Sequence, residues 1–299
     1  MSKVHAIRRQ IKSVKNINQI TSAMEMVAAS KLRRAQEATL RSRLYATAAR
    51  ELLSQLRTSA SPAAHPLFGL SGRPAGGPKT SGRRLIILFT SDRGLAGAYN
   101  SNVLRALLPL LPAKLLVIGQ RGAQFVSRLP ADSASVLGVY PNWSHELAAT
   151  ELRPVVQTAL TLYQAGEVDE VSVVFTEYIS SIKQVVTRRV LLPIDPAFAK
   201  APAGEARFKG EEAGEEGLFE PSPQAVLEYV VPRFLEVQVY QAHLEALASE
   251  HSMRMVAMKN ASDNASDLTD DLTLVYNGAR QAAITQELAE ITAGAEAIS

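Results

Sequence analysis

The sequence predicts an α/β protein whose two ends are helices that pair as a long antiparallel coiled coil around an inserted sheet domain. Three observations lead there. Val4 to Leu56 contains neither proline nor glycine and is dominated by good helix formers. From Glu250 to Ser299 apolar residues recur in alternating steps of four and three. The sequence between alternates short apolar runs with helical patterns.

The first segment, 1–58, reads as one helix of roughly 80 Å at 1.5 Å per residue. Residues 59–83 then turn Pro- and Gly-rich, with Pro62, Pro66, Gly72, Pro74, Gly76, Gly77 and Pro78, which is linker chemistry. In 84–198, Leu85 to Phe89 and Leu115 to Ile118 are continuous apolar runs of the kind that form buried parallel strands. A helical pattern from Ser101 to Leu111 separates them, and Gln124 to Leu129 is expected to make a further helical turn. Ser135 to Tyr140 is a weaker strand, Leu147 to Tyr163 a helix, and Val171 to Tyr178 a strand, with Val185 to Leu192 as its antiparallel neighbour. This βαβ grammar gives a Rossmann-like α/β domain. Residues 199–223 are an acidic loop carrying Glu205, Glu211, Glu212, Glu215, Glu216 and Glu220. The last segment, 224–299, has no proline after Pro232 and two glycines, Gly278 and Gly294, and could reach about 110 Å as a helix. A sheet domain of about 130 residues has a radius of gyration near 14 Å, so a rod is expected to project from it.

On the last helix, Leu268, Leu272, Val275, Ala279 and Ala282 are expected to form the seam. A second set, Ile284, Leu288, Ile291, Ala295 and Ile298, starts two residues out of phase, which rotates the apolar face away from the same partner. An apolar face there calls for a surface supplied by another protein. Charge supports pairing of the ends. Twelve bases against three acids give +9 from Met1 to Arg57, and four bases against ten acids give −6 from Arg233 to Ser299.

Several function classes are excluded or disfavoured. The chain has no cysteine, so thiol catalysis, thiolate metal sites and disulfides are out. No apolar run approaches the roughly 20 residues of a membrane span, and the polar N-terminus is expected to carry no leader. His5, His65, His145, His243 and His251 show no ligand spacing. The basic first helix could lie on nucleic acid, but Tyr45 is its only aromatic residue and base stacking has no platform. Ser91-Asp-Arg-Gly-Leu-Ala-Gly-Ala-Tyr-Asn100 follows the first strand where phosphates often bind. Gly94 and Gly97 do not make the dinucleotide spacing, however, and no P-loop lysine follows, which favours a structural turn. Met24 reads as helix packing, and Arg280 and Gln281 as exposed helix residues, on periodicity alone.

Two segments change that balance. Ile7 to Gln36 (IRRQIKSVKNINQITSAMEMVAASKLRRAQ) resembles the N-terminal helix of the gamma subunit of rotary ATP synthases, and Ala279 to Ala297 (ARQAAITQELAEITAGAEA) is similar to that family's C-terminal signature. SDRGLAGAYN is similar to its central motif, with Ala96 and Ala98 where cysteine or glycine is expected. The resemblance implies a non-catalytic, cofactor-free central rotor shaft at the cytoplasmic face of a bacterial membrane. Its implied partners are the α and β subunits, an epsilon subunit and the membrane rotor c-ring. It further implies β-subunit contacts at Met24, Arg280, Gln281, Thr285 and Glu287, and a hydrophobic bearing for Ile284, Leu288, Ile291, Ala295 and Ile298. Tyr178, Lys183 and Gln184 are expected at the membrane ring.

Overall fold

The computed structural model describes residues 2–59, 83–130, 132–143, 149–194 and 222–296. The expected linker and acidic loop fall almost wholly outside them, as does Ile298. The side chain of Ala295 is likewise undescribed.

The elements follow the expected order. Helix α1 spans Ser2–Ser59 and α5 spans Pro223–Glu296. Between them in sequence lie β1 (Arg84–Phe89), α2 (Tyr99–Leu107), β2 (Ala113–Ile118), α3 (Gln120–Val126), β3 (Ala134–Tyr140), α4 (Arg153–Gln164), β4 (Glu170–Tyr178) and β5 (Gln184–Leu192). Three boundaries move most. The helix expected from Leu147 to Tyr163 is a 3-10 turn, Ala149–Leu152, followed by α4 from Arg153, and Leu147 itself lies outside the described residues. The helix after β1 closes at Leu107 and continues as a 3-10 turn, Leu108–Leu110, with proline at its start. Helix α3 begins at Gln120 rather than Gln124, directly after Gly119, whose φ of 99° turns the chain out of β2. Pro232 lies inside α5, so the helix interior passes through a position that lacks an amide donor.

The chain divides into two compact units: 31–253 in one, and 1–30 with 254–299 in the other. In the unit holding the sheet, the strand order is β3-β2-β1-β4-β5, parallel except for β5, which runs antiparallel to β4. Alternation along β1 sorts its side chains onto two faces. Leu85, Ile87 and Phe89 join Val171, Val173 and Phe175 of β4 beneath α4 (Val155, Val156, Ala159) and α5 (Phe234, Leu235, Val239, Ala242, Ala246). Ile86 and Leu88 face the other way, toward Val103 and Leu107 of α2 and Val126 of α3. With helices on both faces, the central strands are apolar throughout, which is why they read as continuous runs.

In the other unit, the paired helices follow a strict seven-residue repeat. On α1 the least exposed positions are Val4, Ile7, Ile11, Val14, Asn18, Thr21, Glu25 and Ala28; on α5 they are Met258, Ser262, Ala265, Thr269, Leu272, Tyr276, Ala279 and Ala283. Asn18 and Ser262 are hydrogen-bonded to each other across the seam, and Gln36 and Ser252 both bond the β4–β5 hairpin, so residue numbers rise along one helix as they fall along the other and the pairing is antiparallel. The expected seam is therefore corrected. Leu272 and Ala279 belong to it, but Leu268, Val275 and Ala282 lie one position off, with Leu268 and Val275 at 48% and 54% exposure.

Candidate functional site on the helix pair and the strand turns

The crevice at the carboxyl end of β1 is where an open α/β sheet would receive a nucleotide. Here its polar groups are committed to one another. The Ser91 amide donates to Asn100 Oδ1 (3.0 Å), Asn100 Nδ2 donates to Ser91 Oγ (2.7 Å), and that hydroxyl donates to the Arg93 carbonyl (2.7 Å). Asp92 Oδ1 accepts from the amides of Gln120 (3.1 Å) and Asn142 (3.0 Å), tying the turns after β1, β2 and β3 together. Thr90 Oγ1 accepts from the Gly122 amide at 2.9 Å. The crevice itself is lined by the buried side chains of Tyr99 and His243. Glycine serves closeness here: a Cβ on Gly119 would stand 2.2 Å from the Thr90 carbonyl oxygen. The motif is a clamp for three strand turns, and it occupies the amides of Ser91, Gln120, Gly122 and Asn142.

The hairpin between β4 and β5 holds Tyr178, Lys183 and Gln184. Tyr178 OH accepts from Gln36 Nε2 of α1 at 2.9 Å, and Gln184 Nε2 donates to Ser252 Oγ of α5 at 3.1 Å. Ser252 Oγ also donates to the Ser181 carbonyl (3.2 Å), and Ser249 Oγ to the Thr176 carbonyl (2.9 Å). Thus two of the three expected ring-contact residues anchor the hairpin to both terminal helices. Lys183 and Ile182 stand out at its tip, Ile182 at 95% exposure.

The remaining candidates lie on the helix pair. Arg280, Gln281, Thr285 and Glu287 are exposed on α5, and Thr285 Oγ1 donates back to the Gln281 carbonyl (3.0 Å). Met24 is half-buried on α1. With Asn18 opposite Ser262, Met24 faces the region of residue 256, about 36 Å along α5 from Arg280 at 1.5 Å per residue. The structure does not bring Met24 to the other four. Beyond Ala283 the repeat would continue at Gln286 and Glu290, but these are polar and bond each other (2.9 Å). The apolar residues move instead to Ile284, Leu288 and Ile291, roughly 100° around the helix from Ala283, where they are 47%, 59% and 68% exposed. By the same register, α1 begins opposite about residue 278, so this stretch of α5 has no described helix beside it.

Two surfaces were not anticipated. Ile17, Ile20 and Val27 form an exposed apolar flank on α1, with Met24 at the same spacing, and Leu268 and Val275 do so on α5. The signal was available in the spacing of three and four along α1. The expected pairing of opposite charges is not made by direct ion pairs at eight of the outward charges. Among the described residues, Arg8, Arg9, Lys12 and Lys15 have no acidic partner, and Asp263, Asp267, Asp270 and Asp271 no basic one. Both sets occupy outward positions, and the apolar seam holds the helices together.

A coil made from the two chain ends around an inserted α/β sheet is the architecture of a shaft-like assembly protein. The comparisons agree. A family model described as ATP synthase matches residues 3–298. The ATP synthase gamma chain of Symbiobacterium thermophilum is 42% identical, covering 98% of this chain and 97% of the relative. That of Moorella thermoacetica is 37% identical over the full length of both. Among solved structures, a chain in the central stalk and c-ring of Tetrahymena thermophila mitochondrial ATP synthase matches with a TM-score of 0.60 at 26% identity, covering 81% of this chain and 99% of that one. A chain of the Euglena gracilis mitochondrial ATP synthase rotor shares the fold, with a TM-score of 0.63 at 18% identity, covering 95% and 99%. The chain belongs to the ATP synthase gamma chain family.

Proposed function

We propose that this chain is the non-catalytic central shaft of a bacterial ATP synthase, peripheral to the membrane on its cytoplasmic face. It would couple rotation of the c-ring to conformational change in the catalytic β subunits. The observation that carries this is the end of α5. There the apolar stripe leaves the seam and continues on a face without a described helix partner, as a bearing inside a ring of α and β subunits requires. No described helix is long and apolar enough to cross a membrane.

The mechanism is mechanical. One charge crossing 100 mV releases about 2.3 kcal/mol, so several crossings must be pooled through a stiff element to drive one synthesis step. In our reading Lys183 and Ile182, at the hairpin tip, meet the c-ring or the epsilon subunit. Tyr178 and Gln184 then pass the load to α1 and α5 together through Gln36 and Ser252. Arg280 and Gln281, with Thr285 and Glu287, engage a β-subunit loop at one level, Met24 meets a neighbouring surface at another, and Ile284, Leu288 and Ile291 turn in the bearing. An asymmetric shaft contacts each β subunit differently at each angle and so favours a different binding state in each.

The test uses the absence of native cysteine. Arg280→Cys, oxidised to a cysteine placed in a β-subunit loop of the assembled complex, is expected to stop turnover until reductant is added. Undiminished turnover with the crosslink in place would remove the moving-shaft reading.

A further inference from the structure

The seam carries a reciprocal pair of cross-helix hydrogen bonds that the shaft reading does not use. Asn18 Nδ2 donates to the Ser262 carbonyl (3.2 Å) while the Ser262 hydroxyl donates to Asn18 Oδ1 (3.1 Å). Other seam hydroxyls look after themselves. Thr21 donates to the Ile17 and Asn18 carbonyls (3.0 Å each) and Thr269 to the Ala265 carbonyl (2.8 Å). The seven-residue repeat is unbroken on both helices, from Val4 to Ala28 and from Met258 to Ala283. Such a pattern does not by itself distinguish the native pairing from one displaced by a whole heptad, about 10 Å along the axis. The hairpin bonds to Gln36 and Ser252 hold both helices outside the seam; within the seam, what distinguishes the native pairing is the polar layer. Displaced one way, Asn18 would face Met255 and Ser262 would face Ile11. Displaced the other way, Asn18 would face Thr269, whose hydroxyl is already engaged, and Ser262 would face Glu25. Either slip leaves the half-buried Asn18 Oδ1 without the hydroxyl proton it now accepts from Ser262.

We propose that the Asn18–Ser262 pair is a register lock that stops α1 and α5 sliding past one another by a heptad. A stiffness built on apolar packing alone resists bending and separation better than axial slip, because packing recurs every seven residues. The reciprocal bonds of Asn18 and Ser262 form only where those two residues face one another, so they mark one register. The proposal rests on the helix-pair geometry and not on the shaft reading, and its readout is position rather than activity.

The experiment uses cysteine pairs in the assembled complex. Ile11→Cys with Thr269→Cys reports the native register, and Ile11→Cys with Tyr276→Cys reports a one-heptad slip. Cysteines about 10 Å out of register cannot be bridged without backbone movement. With Asn18 and Ser262 intact, only the first pair is expected to crosslink above background. In an Asn18→Leu, Ser262→Leu background the slipped crosslink is expected to rise by about tenfold, the shift that the loss of about one hydrogen bond produces. If that background does not assemble, Asn18→Ala with Ser262→Ala is read the same way. The exchanged pair, Asn18→Ser with Ser262→Asn, is expected to return the slipped crosslink to background. A slipped yield that stays at background when the layer is removed, or stays high when it is exchanged, overturns the lock.

Discussion

Replacing Ile284, Leu288 and Ile291 together by serine separates what α5 does for its own fold from what it does for an assembly. These side chains are 47%, 59% and 68% exposed, so the change removes little packing inside the chain. Surface substitutions of this kind usually alter stability by no more than about 0.5 kcal/mol each. Burying a Leu or Ile side chain fully is worth about 1.5–3 kcal/mol, and the fractions still exposed scale this to roughly 3–5 kcal/mol for the three. Side-chain ordering takes part of that back, so it is the upper figure for the loss on assembly. At 1.4 kcal/mol per decade it corresponds to between two and four orders of magnitude in association with the α and β subunits. The assay is titration of the variant into purified α and β subunits, read by recovered ATP hydrolysis and by size-exclusion of the complex, beside thermal melting of the isolated chain. A variant that melts like the parent and associates as tightly would refute the bearing. So would one that fails to fold alone, because the stripe would then belong to the chain's own core.

Two further outcomes test the clamp at the strand turns. Gly119→Ala places a Cβ against backbone, 2.2 Å from the Thr90 carbonyl oxygen, at a φ of 99°, and is expected to cost more than about 3 kcal/mol, seen as a large drop in melting temperature or loss of soluble chain. Thr90→Val keeps the shape but removes the acceptor for the Gly122 amide, with an expected loss of about 1–3 kcal/mol in denaturant unfolding; a loss near zero would mean that this buried bond does not hold the turn.

The sheet was legible because burial on both faces leaves no room for polar alternation. Ile86 and Leu88 face α2 and α3 while Leu85 and Ile87 face α4 and α5, so β1 reads as one apolar run. The clamp was legible only in part. Gly94 and Gly97 excluded a dinucleotide spacing, but nothing local shows that Asp92 reaches the amides of Gln120 and Asn142, because those contacts span 28 and 50 residues. Likewise Tyr178 and Gln184 stood out as candidate contacts, whereas their bonds to Gln36 and Ser252 depend on tertiary placement.

The seam shows why the coil was easier to recognise than its register. Helix α5 carries two overlapping stripes with the same three-four spacing. One runs through Leu268, Leu272, Val275, Ala279 and Ala282, and the other through Ala265, Thr269, Leu272, Tyr276, Ala279 and Ala283. The first is the more apolar, yet the second faces α1. Its small residues Ala265 and Thr269 suit a close approach to the β-branched Ile11 and Val14, so size as well as hydrophobicity selects it. The displaced leucine and valine then stand on a flank with Ile17 and Ile20, open to solvent in the isolated chain. Hydrophobicity marks every surface that will leave water, whether it meets the same chain or another one. A protein that buries one helix face within itself and others against its surroundings therefore writes several stripes in one alphabet. Small side chains at the contact, and a polar pair inside it, here Asn18 opposite Ser262, tell them apart.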